Sequence, residues 1–318
     1  MKPNFNSFNA YLEQTNPLPW TFVEDHPNGW LVNNHSLAIN YVRFKLIIEA
    51  MEKYFPAANK ILDVGIYPGI IPKLFYEYLS LPESTRYFGL GLGFTAEFSK
   101  RMERYGIELL ECDLDRRLHL DNGRNIEIPM EAEMVDSVVF TDVIEHFFDP
   151  FYPLQEINRV SKMGAIMILT TDNLTRFSSL LALLRGLSCN VPLISGSLFY
   201  NGDWRPHFRE YSREELFQLL KWAGFQVIDH KFYEADFGQY RVIDGHFVKD
   251  DRRKLSLKGR LADWARKIAI KITPSLRDNH IIVAKKVQSY EDMVAASPKI
   301  VSDMDDWLVQ RSQHGHTI

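Results

Sequence analysis

The stretch Lys60–Ile70, KILDVGIYPGI, constrains the fold more than any other part of the chain. Ile61, Leu62 and Val64 form an apolar run too short for a helix and suited to a strand buried on both faces, with Asp63 near its end. Gly65, Tyr67, Pro68 and Gly69 then release the chain into the helical pattern IIPKLFYEYL. A buried strand, a glycine turn and a helix N-terminus make a crevice where a nucleotide-like ligand can approach the backbone. The spacing is not the G-x-G-x-x-G of dinucleotide binders, which counts against nicotinamide chemistry. Any tight turn between a strand and a helix is the alternative reading of this stretch taken alone.

Strands and helices alternate around it. Leu37, Tyr41, Phe44, Ile48 and Met51 recur at helical spacing before the strand, and Pro56 ends that run. Arg86–Gly91 reads as a second strand, Thr95–Tyr105 as a helix, and Ile107–Cys112 as a third strand. Residues 115–133 are polar and carry the Asn122-Gly123 turn signal, which fits a loop or small hairpin. Val135–Thr141 is a fourth strand, Pro153–Lys162 a helix with Gly164 as its C-cap, and Ala165–Thr171 a fifth strand. Phe177–Leu187 is an apolar helix, and 188–206 a loop holding Phe199, Tyr200 and Trp204. Ser212 and Glu215 form a capping box for the helix Arg213–Ala223, which Gly224 closes. Phe225–Tyr233 and His280–Val287 are two more strands. The pattern specifies an α/β fold: a doubly wound, seven-stranded, mostly parallel sheet with helices on both faces.

Composition narrows the function classes. The chain has 318 residues and a formal net charge of -4, so electrostatics give no case for nucleic-acid binding. Cys112 and Cys189 are the only cysteines, which supports neither a disulfide framework nor a cysteine zinc site. The N-terminus lacks an apolar leader, and no run approaches the roughly 20 apolar residues of a membrane span. The expectation is a cytoplasmic enzyme. Residues 1–35, with Trp20, Phe22 and Trp30 among polar residues, read as an arm or lid. Residues 36–287 read as the main domain, with 174–211 as a substrate-lid insertion, and 288–318 as a tail with a helix around Val301–Gln310.

Four ordered segments carry a family resemblance. After the glycine turn come VDSVVFTDVIEHFFDP (Val135–Pro150), LQEINRVSKMGAIMILTTDN (Leu154–Asn173) and HFREYSREELFQLLKWAGF (His207–Phe225). Together they resemble the class I S-adenosylmethionine (SAM) methyltransferases, in particular the type 11/23 group with its bacterial polysaccharide and secondary-metabolite members. The resemblance implies a Rossmann-like sheet with its last strand antiparallel, and that Asp63, Gly65, Tyr67 and Gly69 face the amino acid part of SAM. It implies that Asp113, with Leu114 beside it, accepts from the adenine amine, and that Thr141 and Asp142 line the floor beneath the sulfonium. Asp113 capping a turn and Thr141 as a strand-end hydroxyl are the plainer alternatives. Two departures stand out: Tyr67 takes the place of the family's middle glycine, and Gly91 that of the acid that holds the ribose.

Transfer to a hydroxyl needs alignment and removal of a proton, by a base or a metal ion. Asp142, Glu145 and His146, at i, i+3 and i+4, would share one face of a helical turn, with His207 downstream. This D-x-x-E-H…H pattern is similar to the metal site of small-RNA 3′-terminal 2′-O-methyltransferases and to the E-x-x-E-H of ubiquinone-pathway O-methyltransferases. It implies a divalent cation such as Mg on Asp142, Glu145, His146 and His207. His146 as a metal-free base, and a purely structural role, stay open beside it. The expected function is O-methylation of a sugar or other small molecule, with a glycan or small-molecule acceptor. A non-catalytic scaffold, an N-methyltransferase and an RNA 2′-O-methyltransferase are the alternatives, and a homo-oligomer is compatible with the chain.

The basic stretch over 250–275 sets Leu257, Leu261, Trp264, Ile268 and Ile272 on one helical stripe. Two readings follow: a peripheral membrane contact, or a helix packed on the sheet through that stripe with its basic face in solvent.

Overall fold

The structure is a computed structural model that describes residues 41–67, 69–79, 82, 84–115, 126–189, 205, 207–234, 240–243, 246–249 and 257–296. The expected N-terminal arm, the Asn122-Gly123 turn, the aromatics Phe199, Tyr200 and Trp204, and the helix around Val301–Gln310 lie outside the described residues.

Helix α1 (Tyr41–Tyr54) precedes β1 (Lys60–Val64), and α2 (Ile70–Tyr78) follows the glycine turn. Then come β2 (Arg86–Gly91), α3 (Ala96–Arg104), β3 (Glu108–Glu111) and β4 (Val135–Thr141). A single 3-10 turn, Ile144–His146, leads to α4 (Phe151–Val160), β5 (Ser161–Asp172) and α5 (Phe177–Leu184). The chain continues through α6 (Arg213–Trp222), β6 (Phe225–Tyr233), a hairpin of β7 (Tyr240–Ile243) and β8 (His246–Lys249), α7 (Leu257–Ile272) and β9 (Asn279–Lys286).

Seven strands form one sheet in the order β3-β2-β1-β4-β5-β9-β6. The β3-β2-β1-β4-β5 pairings are parallel, and β9 runs antiparallel between β5 and β6. Strand alternation builds a core on each face. Ile61, Val139 and Ile168 join α1, α2 and α3 on one side. Leu62, Val64, Val138, Phe140, Met167 and Leu169 meet α4 and α6 on the other. The capping box is present: Ser212 N–H donates to Glu215 Oε2 at 2.8 Å, and Glu215 N–H to Ser212 Oγ at 3.4 Å. Each bond satisfies a backbone donor that the helix itself leaves without a partner.

Three local expectations need correction. Gly164 does not cap a helix; it sits inside β5 at φ 82, where the register of β5 against β4 shifts. Asp142 does not share a helical turn with Glu145 and His146, because only Ile144–His146 is helical and Asp142 adopts φ 50 just before it. The stripe of α7 does not pack on the sheet: Leu261, Trp264, Ile268 and Ile272 are all exposed, while Ile270 is buried.

Candidate active site

Four segments converge at the carboxyl ends of β1, β4 and β5. The turn after β1 is tight for a reason internal to the chain. Gly65 has φ 79, and a Cβ there would lie 2.3 Å from Val143 Cγ2, so a side chain would push the segment after β4 away. Gly69 precedes α2 in the left-handed conformation, and no side chain caps that helix. The first amides of α2 therefore face the turn without a side-chain acceptor, an arrangement suited to a carboxylate.

Asp63 is buried beneath this turn and accepts a 2.8 Å hydrogen bond from the Tyr87 hydroxyl. Burial pushes its pKa up to about 7, and the Tyr87 bond pulls the other way. Tyr67 turns into the core region and stacks on Phe98 with centroids 4.5 Å apart; Phe98 stacks in turn on Phe94. A Cβ on Gly91 would lie 2.9 Å from the Phe94 ring. The two departures from the family pattern are therefore one feature: an aromatic stack occupies the space that a side chain at 91 would need. Glu111, exposed at the end of β3 and paired in register with Gly91, accepts from Gly93 N–H at 3.2 Å. It sets a carboxylate next to the position where the acid is missing.

Asp113 and Leu114 are buried just past β3. Asp113 meets the Arg205 guanidinium in a two-pronged ion pair, with Nη1 donating to Oδ1 at 2.9 Å and Nη2 to Oδ2. An adenine amine at Asp113 would share those oxygens with Arg205 or displace it.

After β4, Thr141 is half-buried at the strand end. Asp142 is held by the Thr170 hydroxyl at 2.6 Å and by an ion pair with Arg43 of α1. It does not join either group of convergent ligand atoms among the described residues. Glu145, by contrast, is buried and accepts from the Thr171 hydroxyl at 2.8 Å. Burial pushes its pKa up to about 7 against the pull of His207. His146 Nδ1 lies 2.6 Å from the Arg205 carbonyl oxygen. A carbonyl only accepts, so Nδ1 carries the proton and the ring lone pair is on Nε2.

The segment from His207 is laid against this turn by backbone bonds. Phe208 N–H donates to Glu145 O at 2.8 Å, and Leu174 N–H to Tyr211 O at 3.0 Å. The His207 ring stands edge-on to His146, with centroids 4.6 Å apart. Its Nδ1 lies 3.3 Å from Asp172 Oδ2, off the line of a well-formed hydrogen bond. Burial lowers the His207 pKa, yet Asp172 with Glu145 and Glu210 more than offsets this and holds it above its ordinary value. Glu210 is itself clamped by Arg176 at 2.6 and 2.8 Å. Ligand atoms of Glu145, His146 and His207 lie within 4.8 Å of one another, as do those of Asp172, His207 and Glu210. Of the four residues expected to share a metal, the structure brings together three. A cleft of about 540 Å³ between α1 and strands β6 and β9 is lined by Glu49, Lys53 and Asp229 and by none of these groups.

Sequence reasoning does not find Arg205, Asp172, Thr171, Arg176, Glu210 or Glu111. Two signals were available. Asp172 lies at the carboxyl end of a strand, where ligands of open α/β sheets bind, and Glu210 belongs to the H-x-R-E run.

Comparisons with known proteins agree with this architecture. No family model matches the chain. A curated relative from Mycolicibacterium smegmatis, described as a probable S-adenosylmethionine-dependent methyltransferase, is 32% identical over 114 residues, 36% of this chain. The match spans about 37% of that relative's own length. Among solved structures, a chain of the complex containing the Haloferax volcanii Trm112 methyltransferase activator matches with TM-score 0.50 and 13% identity, over 80% of this chain and 94% of that one. A SAM-dependent methyltransferase from Archaeoglobus fulgidus matches with TM-score 0.45 and 18% identity, over 80% and 100%. A Burkholderia thailandensis 1,6-didemethyltoxoflavin-N1-methyltransferase matches with TM-score 0.45 and 14% identity, over 90% and 92%. At 13% identity the Haloferax likeness concerns the fold alone. That likeness and the strand order give the chain a Rossmann-like, seven-stranded, mostly parallel fold.

Proposed function

We propose that this protein is a SAM-dependent methyltransferase that methylates a hydroxyl of a sugar or other small molecule. The observation that carries the reading is the packing of Glu145, His146 and His207 beside the glycine turn, through the contact of Val143 with Gly65. SAM, when bound, supplies a methyl group already activated by the sulfonium. The Gly65–Gly69 turn and the uncapped start of α2 would take its amino acid end, and Glu111 its ribose hydroxyls in place of the acid missing at 91.

An alcohol is a weak nucleophile until it loses its proton, whereas a neutral amine attacks directly. A base poised near neutrality therefore favours a hydroxyl acceptor. Glu145, with its pKa pushed up to about 7, can hold that proton, and Thr171 orients its carboxylate. The Arg205 carbonyl keeps His146 Nδ1 protonated and turns its Nε2 lone pair to use as a base or ligand.

A divalent cation on Glu145, His146 and His207 is the second reading, favoured by their ligand atoms lying within 4.8 Å. Two imidazoles and one carboxylate suit manganese or zinc better than magnesium, which prefers oxygen. His207 would give up the proton that Asp172 helps it hold.

Titration calorimetry with SAM, followed by transfer from labelled SAM to nucleotide sugars and glycans with and without chelator, tests the proposal. Binding should weaken about tenfold in Glu111→Gln, for loss of a charge-assisted hydrogen bond. Absence of SAM binding would leave a scaffold role. Transfer to amines, RNA or protein alone would exclude hydroxyl methylation of small molecules, and chelator-insensitive turnover would remove the cation.

A further inference from the structure

Helices α5 and α7 pack against each other and hang from the same point of the sheet. Asn173, one residue past β5, donates through Nδ2 to the carbonyls of Ser275 (2.7 Å) and Arg277 (2.6 Å), just after α7. Both helices therefore flank the edge of the sheet that holds the candidate active site. Their apolar residues face outward. On α7, Leu261 is 58% exposed, Trp264 64% and Ile272 76%, with Ile268 between them. On α5 and just beyond it, Leu183 is 57% exposed, Leu184 74% and Leu187 59%. Monomeric proteins seldom leave such a cluster in water without a use for it.

We propose that this face docks on the surface of an anionic lipid bilayer. Three observations choose that occupant. The stripe 261-264-268-272 runs along the helix axis, so the helix can lie flat on a plane with its apolar side down. The same helix carries five basic side chains and one acidic one in a chain of net charge -4, so positive charge is concentrated here against the overall balance. Arg260 and Lys271 adjoin stripe residues, Arg185 ends α5, and all three are exposed with no ion pair among the described residues. Their long stems can lie on the apolar surface while their charges reach lipid phosphates. A second copy of the chain is the poorer partner, because a symmetric contact would set these like charges against their own mates.

Trp264 belongs to this arrangement, since indole favours the boundary between headgroups and acyl chains. Among the described residues no helix is long and apolar enough to cross a membrane, so the contact is peripheral. The surface is independent of the reaction proposed above and can be tested on the full chain without SAM or acceptor.

The test is co-sedimentation with phosphatidylcholine vesicles with and without phosphatidylserine, alongside sedimentation equilibrium in solution. The protein should pellet with phosphatidylserine vesicles and release as salt rises. The double variant Leu184→Ser/Trp264→Ser should lose roughly a hundredfold in partitioning while keeping its thermal unfolding midpoint. Arg260→Gln/Lys271→Gln should lose about 30-fold, and only with phosphatidylserine present. Failure to pellet with either vesicle would overturn the proposal. So would unchanged partitioning of the serine variant, or a dimer in solution that the same variant dissociates.

Discussion

Replacing Asp63 by Asn should make the protein more stable at alkaline pH. Asp63 is 1% exposed, it accepts from Tyr87 OH at 2.8 Å, and burial moves its pKa from 3.8 to about 7. The fold thus favours the neutral acid. Between those two pKa values the folded protein binds a proton that the unfolded chain has released, so stability falls as pH rises through this window. At 1.36 kcal/mol per unit, the carboxylate costs about 4 kcal/mol by pH 8, when both states have lost the proton. Asparagine has the shape of the neutral acid, can still accept from Tyr87, and cannot ionise. The variant should match the parent near pH 4 and exceed it by up to about 4 kcal/mol at pH 8. Urea unfolding from pH 4 to 8 measures this. Glu145, His230 and His280 also titrate in or near that range, with pKa values near 7, 4 and 4, so the informative quantity is the difference between the two profiles. A difference that stays constant with pH would refute the reasoning.

Two further outcomes follow from the same geometry. Arg205→Met takes the guanidinium away from the buried Asp113 and should cost about 3–5 kcal/mol in urea unfolding, with Asp113→Asn in the same chain recovering a large part. Strict additivity of the two changes would show that the pair is not coupled. Gly91→Asp, which supplies the acid that the family resemblance places at this position, should weaken SAM binding about tenfold, since its Cβ meets Phe94 at 2.9 Å. Adding Phe94→Ala should return the lost affinity, and tighter binding by Gly91→Asp alone would contradict this account of the aromatic stack.

Local chemistry was legible. The strands Arg86–Gly91, Val135–Thr141 and Phe225–Tyr233 have the bounds that their apolar runs and flanking breakers indicate. The Ser212–Glu215 box closes as expected, because its partners are three residues apart. The hairpin of β7 and β8 was missed, although Asp244-Gly245 between them is a turn signal.

The sequence by itself determined the order of the seven strands of the main sheet and the helices between them, the glycine turn at Lys60–Ile70, and a Glu145-His146 pair close behind a strand. These depend on neighbours a few positions apart, where side-chain size and backbone freedom act directly. The tertiary structure alone decided which charges meet. Arg205 reaches Asp113 from 92 residues away and offers its carbonyl to His146, and Arg43 of α1 pairs with Asp142, which lies outside the ligand cluster. It also decided that α7 turns its apolar stripe outward, a choice the helical period leaves open. Periodicity states which residues share a face, and only the surrounding layers state what that face meets.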